Sequence, residues 1–223
     1  MFTDQPVTPV RLEVLLSLLV HYESGLKKGI IYDLLQPDSL PPDRNKNTSE
    51  KVPNKHTSEQ VLKAATQLGL AEENHGIIKL TKDYDKSITV NNNILNAFDK
   101  NVLSNLKIEP YFALFYAYYL GLNKKAYKQQ DYTVEKWVSA FNKDVFNNEL
   151  PKNPFNKEKF APLNRWVNYL GLGWYDSSEQ FQANPYERLL RSLPKVFGNN
   201  KSMQGDKFMD KLAIIRLIAE GLE

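Results

Sequence analysis

Residues 57–81 read TSEQVLKAATQLGLAEENHGIIKLT, and the fold turns on how these 25 residues are divided. Thr57 and Ser58 carry side-chain oxygens that can accept from the first free N–H groups of a helix, and Glu59 places negative charge at its positive end. Val61, Leu62, Ala65 and Leu68 then fall on one face at helical spacing, with Gln60, Lys63, Thr66 and Gln67 on the other. Gly69 is placed to end the helix in the left-handed conformation. Beyond it, Leu70 to Glu72 and Ile77 to Leu80 read as two short strands around the polar turn Glu73-Asn74-His75-Gly76.

Helix, stop and ribbon in this order predict the DNA-facing side of a winged helix-turn-helix, with the ribbon as its wing. Upstream, Val10 to Tyr22 is apolar on more than one face and reads as a helix buried on several sides. Leu26 to Leu35 reads as a second, shorter helix, packed through Ile30, Ile31, Leu34 and Leu35 and ended by Pro37. Between helices two and three, residues 37–56 hold Pro37, Pro41, Pro42 and Pro53 among polar residues, a composition that predicts a mobile loop. Its basic residues Arg44, Lys46, Lys51, Lys55 and His56 are candidate phosphate contacts beside the helix that Ser58, Gln60, Lys63, Thr66 and Gln67 would present to DNA, with Lys79 on the wing. A solvated loop and an interaction module that never meets nucleic acid explain the same residues.

The order then recurs. A helix from about Ile94 to Leu106 is expected to bridge two halves. Pro110 opens an apolar aromatic helix, YFALFYAYYL at 111–120, which reads as core in preference to a base-stacking platform. A helix from Val134 to about Phe146 carries Val134, Trp137, Val138 and Phe141 on one face. Next, Phe160, Leu163, Trp166, Val167 and Leu170 mark the packed face of a helix over 157–170, started or bent near Pro162. Gly171 ends it, and a strand, turn and strand follow to Gln182. Lys157, Lys159, Arg165 and Asn168 are the candidate DNA contacts of this second helix. Helices from Pro185 and from Asp206 to Ala219 close the chain. The predicted fold is mainly α with small β-ribbons: tandem winged helix-turn-helix domains plus C-terminal helices, divided as 1–90, a connecting helix 91–109, 110–184 and 185–223.

The totals exclude more than they assign. Hydrophobic residues make up 42% and charged residues 25% of 223, and no apolar run approaches the roughly 20 residues that span a bilayer. No secretory leader is legible at the start of the chain, so a cytoplasmic location is expected. There is no cysteine, hence neither disulfide nor thiolate metal site. A net charge of +3 is too small to argue nucleic-acid binding unaided. His21, His56 and His75 lack second ligands at metal spacing, and no glycine-rich phosphate loop is present. Acidic pairs such as Glu72-Glu73 fall in turns, with no central sheet to hold a nuclease centre. No cofactor and no enzymatic activity are expected.

The stretch KFAPLNRWVNYLGLGWYDSSEQFQANPYERLLRSLP at 159–194, together with QLGLAEENHGIIKLT in the first half, resembles the DpdG family, accessory proteins of a bacterial gene cluster that installs 7-deazaguanine bases in DNA. The resemblance implies a component of a DNA-modification, restriction or anti-phage system, and transfers no catalytic motif. Duplex DNA is the expected partner. A protein adaptor docking on an SMC-like ATPase, helicase or nuclease is the second reading. A homodimeric transcriptional regulator on a palindromic site is the third.

Overall fold

The computed structural model describes residues 2–3, 6–36, 55–103, 110–121, 134–146, 154–175, 181–184 and 186–220. It is mainly helical, and the chain divides into two compact units, residues 1–98 and 99–223.

The first unit begins with α1 (Pro9–His21), whose N-cap Thr8 accepts a hydrogen bond from the Arg11 N–H at 3.2 Å while Pro9 occupies the first turn. Leu12, Leu15, Leu16 and Leu19 are buried at the spacing of a single stripe. Val10 and Val14 stay exposed, so α1 is buried on one side and not on several. Strand β1 (Leu26–Lys27) precedes α2 (Lys28–Leu35), which therefore starts two residues later than its apolar pattern suggests. Then come α3 (Lys55–Gln67), β2 (Ala71–Asn74), β3 (Ile77–Leu80) and α4 (Val90–Asn101). The three strands form an antiparallel sheet in the order β1-β3-β2, with Leu26 opposite Ile78 and Ala71 opposite Leu80. The hairpin is tighter than the polar turn implies. Only His75 and Gly76 connect β2 to β3, at φ of 51° and 77°, the pair of positive angles that matches a two-residue hairpin turn to the twist of its strands.

Helix α3 starts at Lys55, ahead of the Thr57-Ser58 pair expected to cap it. Both residues lie within the first turns and are buried, because the helical stripe that buries Val61, Leu62 and Ala65 continues back through 57 and 58. Similarly, α4 begins at Val90, capped by the Thr89 hydroxyl, which accepts from the Asn92 N–H at 3.1 Å. Its buried face is Asn93, Ile94, Ala97 and Phe98, and Phe98 meets Phe2 edge-on with ring centroids 4.9 Å apart. Most of α4 is thus spent on the first unit's core. Asn93 also fixes the preceding turn, accepting from the Asp85 N–H at 2.9 Å and donating to the Asp85 carbonyl at 2.8 Å.

In that turn the Ser87 hydroxyl and N–H both donate to the Asp85 carboxylate, at 2.6 and 2.8 Å, and hold its pKa below the ordinary aspartate value. A depressed folded-state pKa contributes stability that is complete above the unfolded value of about 3.9 and is lost as pH falls through the lower native one. NMR titration of Asp85 should accordingly find its midpoint below about 3.9. A midpoint at or above that value would mean that the two donors leave the carboxylate in solution.

The second unit contains α5 (Pro110–Gly121), α6 (Val134–Phe146), α7 (Lys157–Tyr169), β4 (Gly173–Tyr175), β5 (Phe181–Ala183), α8 (Tyr186–Phe197) and α9 (Gly205–Glu220). Phe112, Phe115 and Tyr116 of α5 are buried, and Phe115 lies 4.8 Å from Trp137 and 5.7 Å from Phe155 between ring centroids. Trp137 stacks on Phe141 at 5.5 Å, and Phe141 meets Phe155 at 5.2 Å. The aromatic helix is therefore core, and its rings are committed to one another.

One ion pair holds the end of α7 in place. The Arg191 guanidinium donates to both Asp99 oxygens, at 2.8 and 3.3 Å, and to the Leu170 carbonyl at 3.1 Å. Each side chain of the pair is 16% exposed. The third bond satisfies a carbonyl at the C-terminus of α7, where a cation also complements the helix dipole. Asp99→Ala would leave that guanidinium largely buried without its counter-charge, and a loss of about 2–3 kcal/mol is expected in urea denaturation, less than for a fully buried pair because some solvent reaches both groups. An unchanged midpoint would show that the pair is screened like a surface one.

Candidate nucleic-acid interface

The cap of α3 is built from two backbone bonds: Gly69 N–H to the Thr66 carbonyl at 2.9 Å, and Leu70 N–H to the Ala65 carbonyl at 3.0 Å, with Gly69 at φ 69°. Helix α7 ends identically. Gly171 N–H donates to the Asn168 carbonyl at 3.1 Å, Leu172 N–H donates to the Val167 carbonyl at 2.9 Å, and Gly171 has φ 67°. Both helices have 13 residues and begin 102 residues apart, at Lys55 and Lys157. The hairpins behind them are closed by matching bonds, Thr81 N–H to the Leu70 carbonyl at 3.1 Å and Asn184 N–H to the Leu172 carbonyl at 2.7 Å. The second closing residue lies one place later in register, so the second hairpin is one residue longer.

Burial follows the same register. Val61, Ala64, Ala65, Leu68 and Leu70 are buried, as are Leu163, Trp166, Val167, Leu170 and Leu172. Lys55, His56, Glu59, Lys63 and Thr66 are exposed, and so are Lys157, Glu158, Ala161, Arg165 and Asn168. Each helix thus turns one stripe outward, with a long cation at 63 or 165 and a short hydrogen-bonding side chain one turn later at 66 or 168.

Of the predicted contacts, Arg44, Lys46 and Lys51 lie outside the described residues. Lys55, His56, Lys63, Thr66, Lys157, Arg165 and Asn168 stand on the exposed stripes, with Gln60 and Gln67 half-buried at their edges. Two others are placed differently. Ser58 is fully buried on the inner face of α3 and cannot meet a groove. Lys159 is also buried, its ammonium donating to the Pro154 carbonyl at 2.7 Å and lying 4.7 Å from the centre of the Tyr111 ring. An amine lodged against a ring and a carbonyl has exchanged its water for protein partners and is withdrawn from phosphate.

The first hairpin's cations are partnered. Lys79 pairs with Glu72 at 3.1 Å, and Lys28 pairs with Glu73 at 3.0 Å, a contact that raises the lysine pKa. Lys28 went unnoticed in the sequence because β1 did; its N–H donates to the Gly76 carbonyl at 2.9 Å and ties the hairpin tip to α2. Charge is also unevenly divided: residues 1–98 hold 11 Lys and Arg against 12 Asp and Glu, whereas residues 99–223 hold 18 against 14. Trp174 is a further exposed residue, and it occupies the position on the second hairpin that Glu72 holds on the first.

Among the described residues no group of acidic or histidine side chains is arranged to hold a metal ion, and no helix is long and apolar enough to cross a membrane. A family model described as DpdG-like matches residues 2–215. No curated protein and no solved structure matches the chain.

Proposed function

The chain belongs to the DpdG-like family, and from that premise we propose that it is a non-enzymatic, DNA-binding component of a bacterial DNA-modification or anti-phage system, built as two winged helices in tandem. The observation that carries this reading is the 102-residue register, in which helix, glycine cap and hairpin recur with the same exposed stripe. An α-helix fits the major groove of duplex DNA, and a stripe of cation plus amide or hydroxyl suits phosphates and base edges. The half-buried and buried positions hold the helix; among the exposed ones Lys157 is paired with Glu135 at 3.0 Å, while Lys63, Arg165 and Asn168 face outward. Binding by such a surface displaces counterions, so affinity for a mixed-sequence duplex should fall steeply between 50 and 200 mM salt, by about 40- to 150-fold for three or four phosphate contacts. Fluorescence anisotropy of the full chain across that range tests it. No binding at the low-salt end removes the proposal.

A second reading is supported by the even charge of the first unit, the ion pairs on its hairpin and the exposure of Trp174 and Tyr186. It makes the chain an adaptor whose partner is an ATPase, helicase or nuclease of the same system, since exposed aromatics and depleted net charge suit protein interfaces. Purification from the native gene cluster separates the two: an adaptor leaves the column in a fixed stoichiometry with its partner and without DNA.

A further inference from the structure

Superimposing α3 and α7 by their 102-residue register exposes where the two outward faces part company. Glu59 sits in the middle of the α3 stripe, one turn before Lys63, and puts a carboxylate on that face. Its counterpart on α7 is Ala161, which carries no charge and little bulk. Thr66 spends its hydroxyl proton on the Leu62 carbonyl at 3.1 Å. Its counterpart Asn168 has an exposed amide, and neither Asn168 nor Arg165 has a side-chain partner among the described residues. Glu72, which engages Lys79 on the first hairpin, is replaced in register by Trp174. The one acidic residue on the α7 stripe, Glu158, lies two turns from Arg165, in the first turn where the helix dipole favours it. The unit that carries α7 also holds the chain's positive surplus, 18 basic against 14 acidic residues.

We infer that α7, and not α3, is the helix that enters the major groove of duplex DNA, with Ala161 allowing close approach and Arg165 and Asn168 meeting base edges. This rests on the DNA-binding reading above. Arginine and asparagine are the side chains whose paired donors and acceptors match guanine and adenine in that groove. They stand three residues apart, about 4.5 Å along the helix axis, which lets them address neighbouring base pairs. On α3 the equivalent positions offer a lysine that shares its face with the Glu59 carboxylate and a threonine whose proton is engaged.

The test compares two register-equivalent double variants of the full chain, R165A/N168A and K63A/T66A, against a mixed-sequence duplex and in selection from a randomised duplex pool. All four positions are exposed, and circular dichroism checks that both variants fold. R165A/N168A should weaken binding at least tenfold and erase whatever sequence preference the unaltered chain enriches, while K63A/T66A, which removes at most a phosphate contact, weakens binding several-fold less and keeps that preference. Equal losses, or a greater loss from K63A/T66A, overturn the assignment to α7 and leave the DNA-binding reading intact. Failure of the unaltered chain to bind any duplex overturns both.

Discussion

Trp166→Ala is expected to cost about 3–5 kcal/mol, because it removes the largest fully buried side chain of the structure from the inward face of α7. Leu163, Val167 and Leu170 share that face, and Tyr169 packs edge-on against the indole with ring centroids 5.7 Å apart. Helices cannot close fully over a lost indole, so a cavity term adds to the lost transfer energy. Folded domains have only about 5–15 kcal/mol in hand. Hydrogen exchange should therefore show protection collapsing along α7, and, on the DNA-binding reading proposed above, duplex affinity should fall with it although Trp166 is on the helix's buried face. A denaturation midpoint within about 1 kcal/mol of the unaltered chain would place this side chain outside the core.

The second large effect is expected at Gly25, which has φ of 85° and lies just before β1. A Cβ there would stand 2.6 Å from the Ile78 carbonyl oxygen and 2.7 Å from the Ile77 Cγ2. Gly25→Ala thus combines a left-handed backbone, at about 1–2 kcal/mol, with an overlap against strand backbone, at about 1–3 kcal/mol. Relief requires β1 to separate from β3, undoing the pairing of Leu26 with Ile78 and releasing the hairpin tip from Lys28. Amide exchange at Leu26 and Ile78 should accelerate well beyond that in α1. Gly76→Ala is the useful comparison: φ is also positive there, but no atom lies within 4 Å of the added carbon, so only the backbone term applies.

Much of this architecture was legible wherever local spacing and end signals agreed. The stop at Gly69, the turn glycine Gly76, the start at Pro110 and the stripe from Trp137 to Phe141 were read from neighbours alone, and the structure has them in those roles. What escaped was decided at a distance. Strand β1 is two residues long and exists only because β3 lies beside it. Thr57 and Ser58 look like caps by type, yet the buried stripe of α3 runs through them and carries the helix back to Lys55. Lys159 is a surface residue by type and is drawn inward by Tyr111 and Pro154, the first of them 48 positions away. The candidate contacts were legible by chemistry but not by pairing, since the partners of Lys28 and Lys79 become visible only once the first hairpin is assembled. Even the recurrence, suggested by the repeated order of helix, glycine and ribbon, became a residue-by-residue correspondence only when the closing bonds at Thr81 and Asn184 were located.

That correspondence bears on how the molecule can change over time. Identical subunits that associate must answer every mutation twice, because whatever alters one copy alters its mate. Here both copies of the motif are written in one stretch of gene, at positions 102 apart, and a codon change at Lys63 is silent at Arg165. Each half is exposed to selection separately. Glutamate at 59 against alanine at 161, and threonine at 66 against asparagine at 168, are differences that such independence permits.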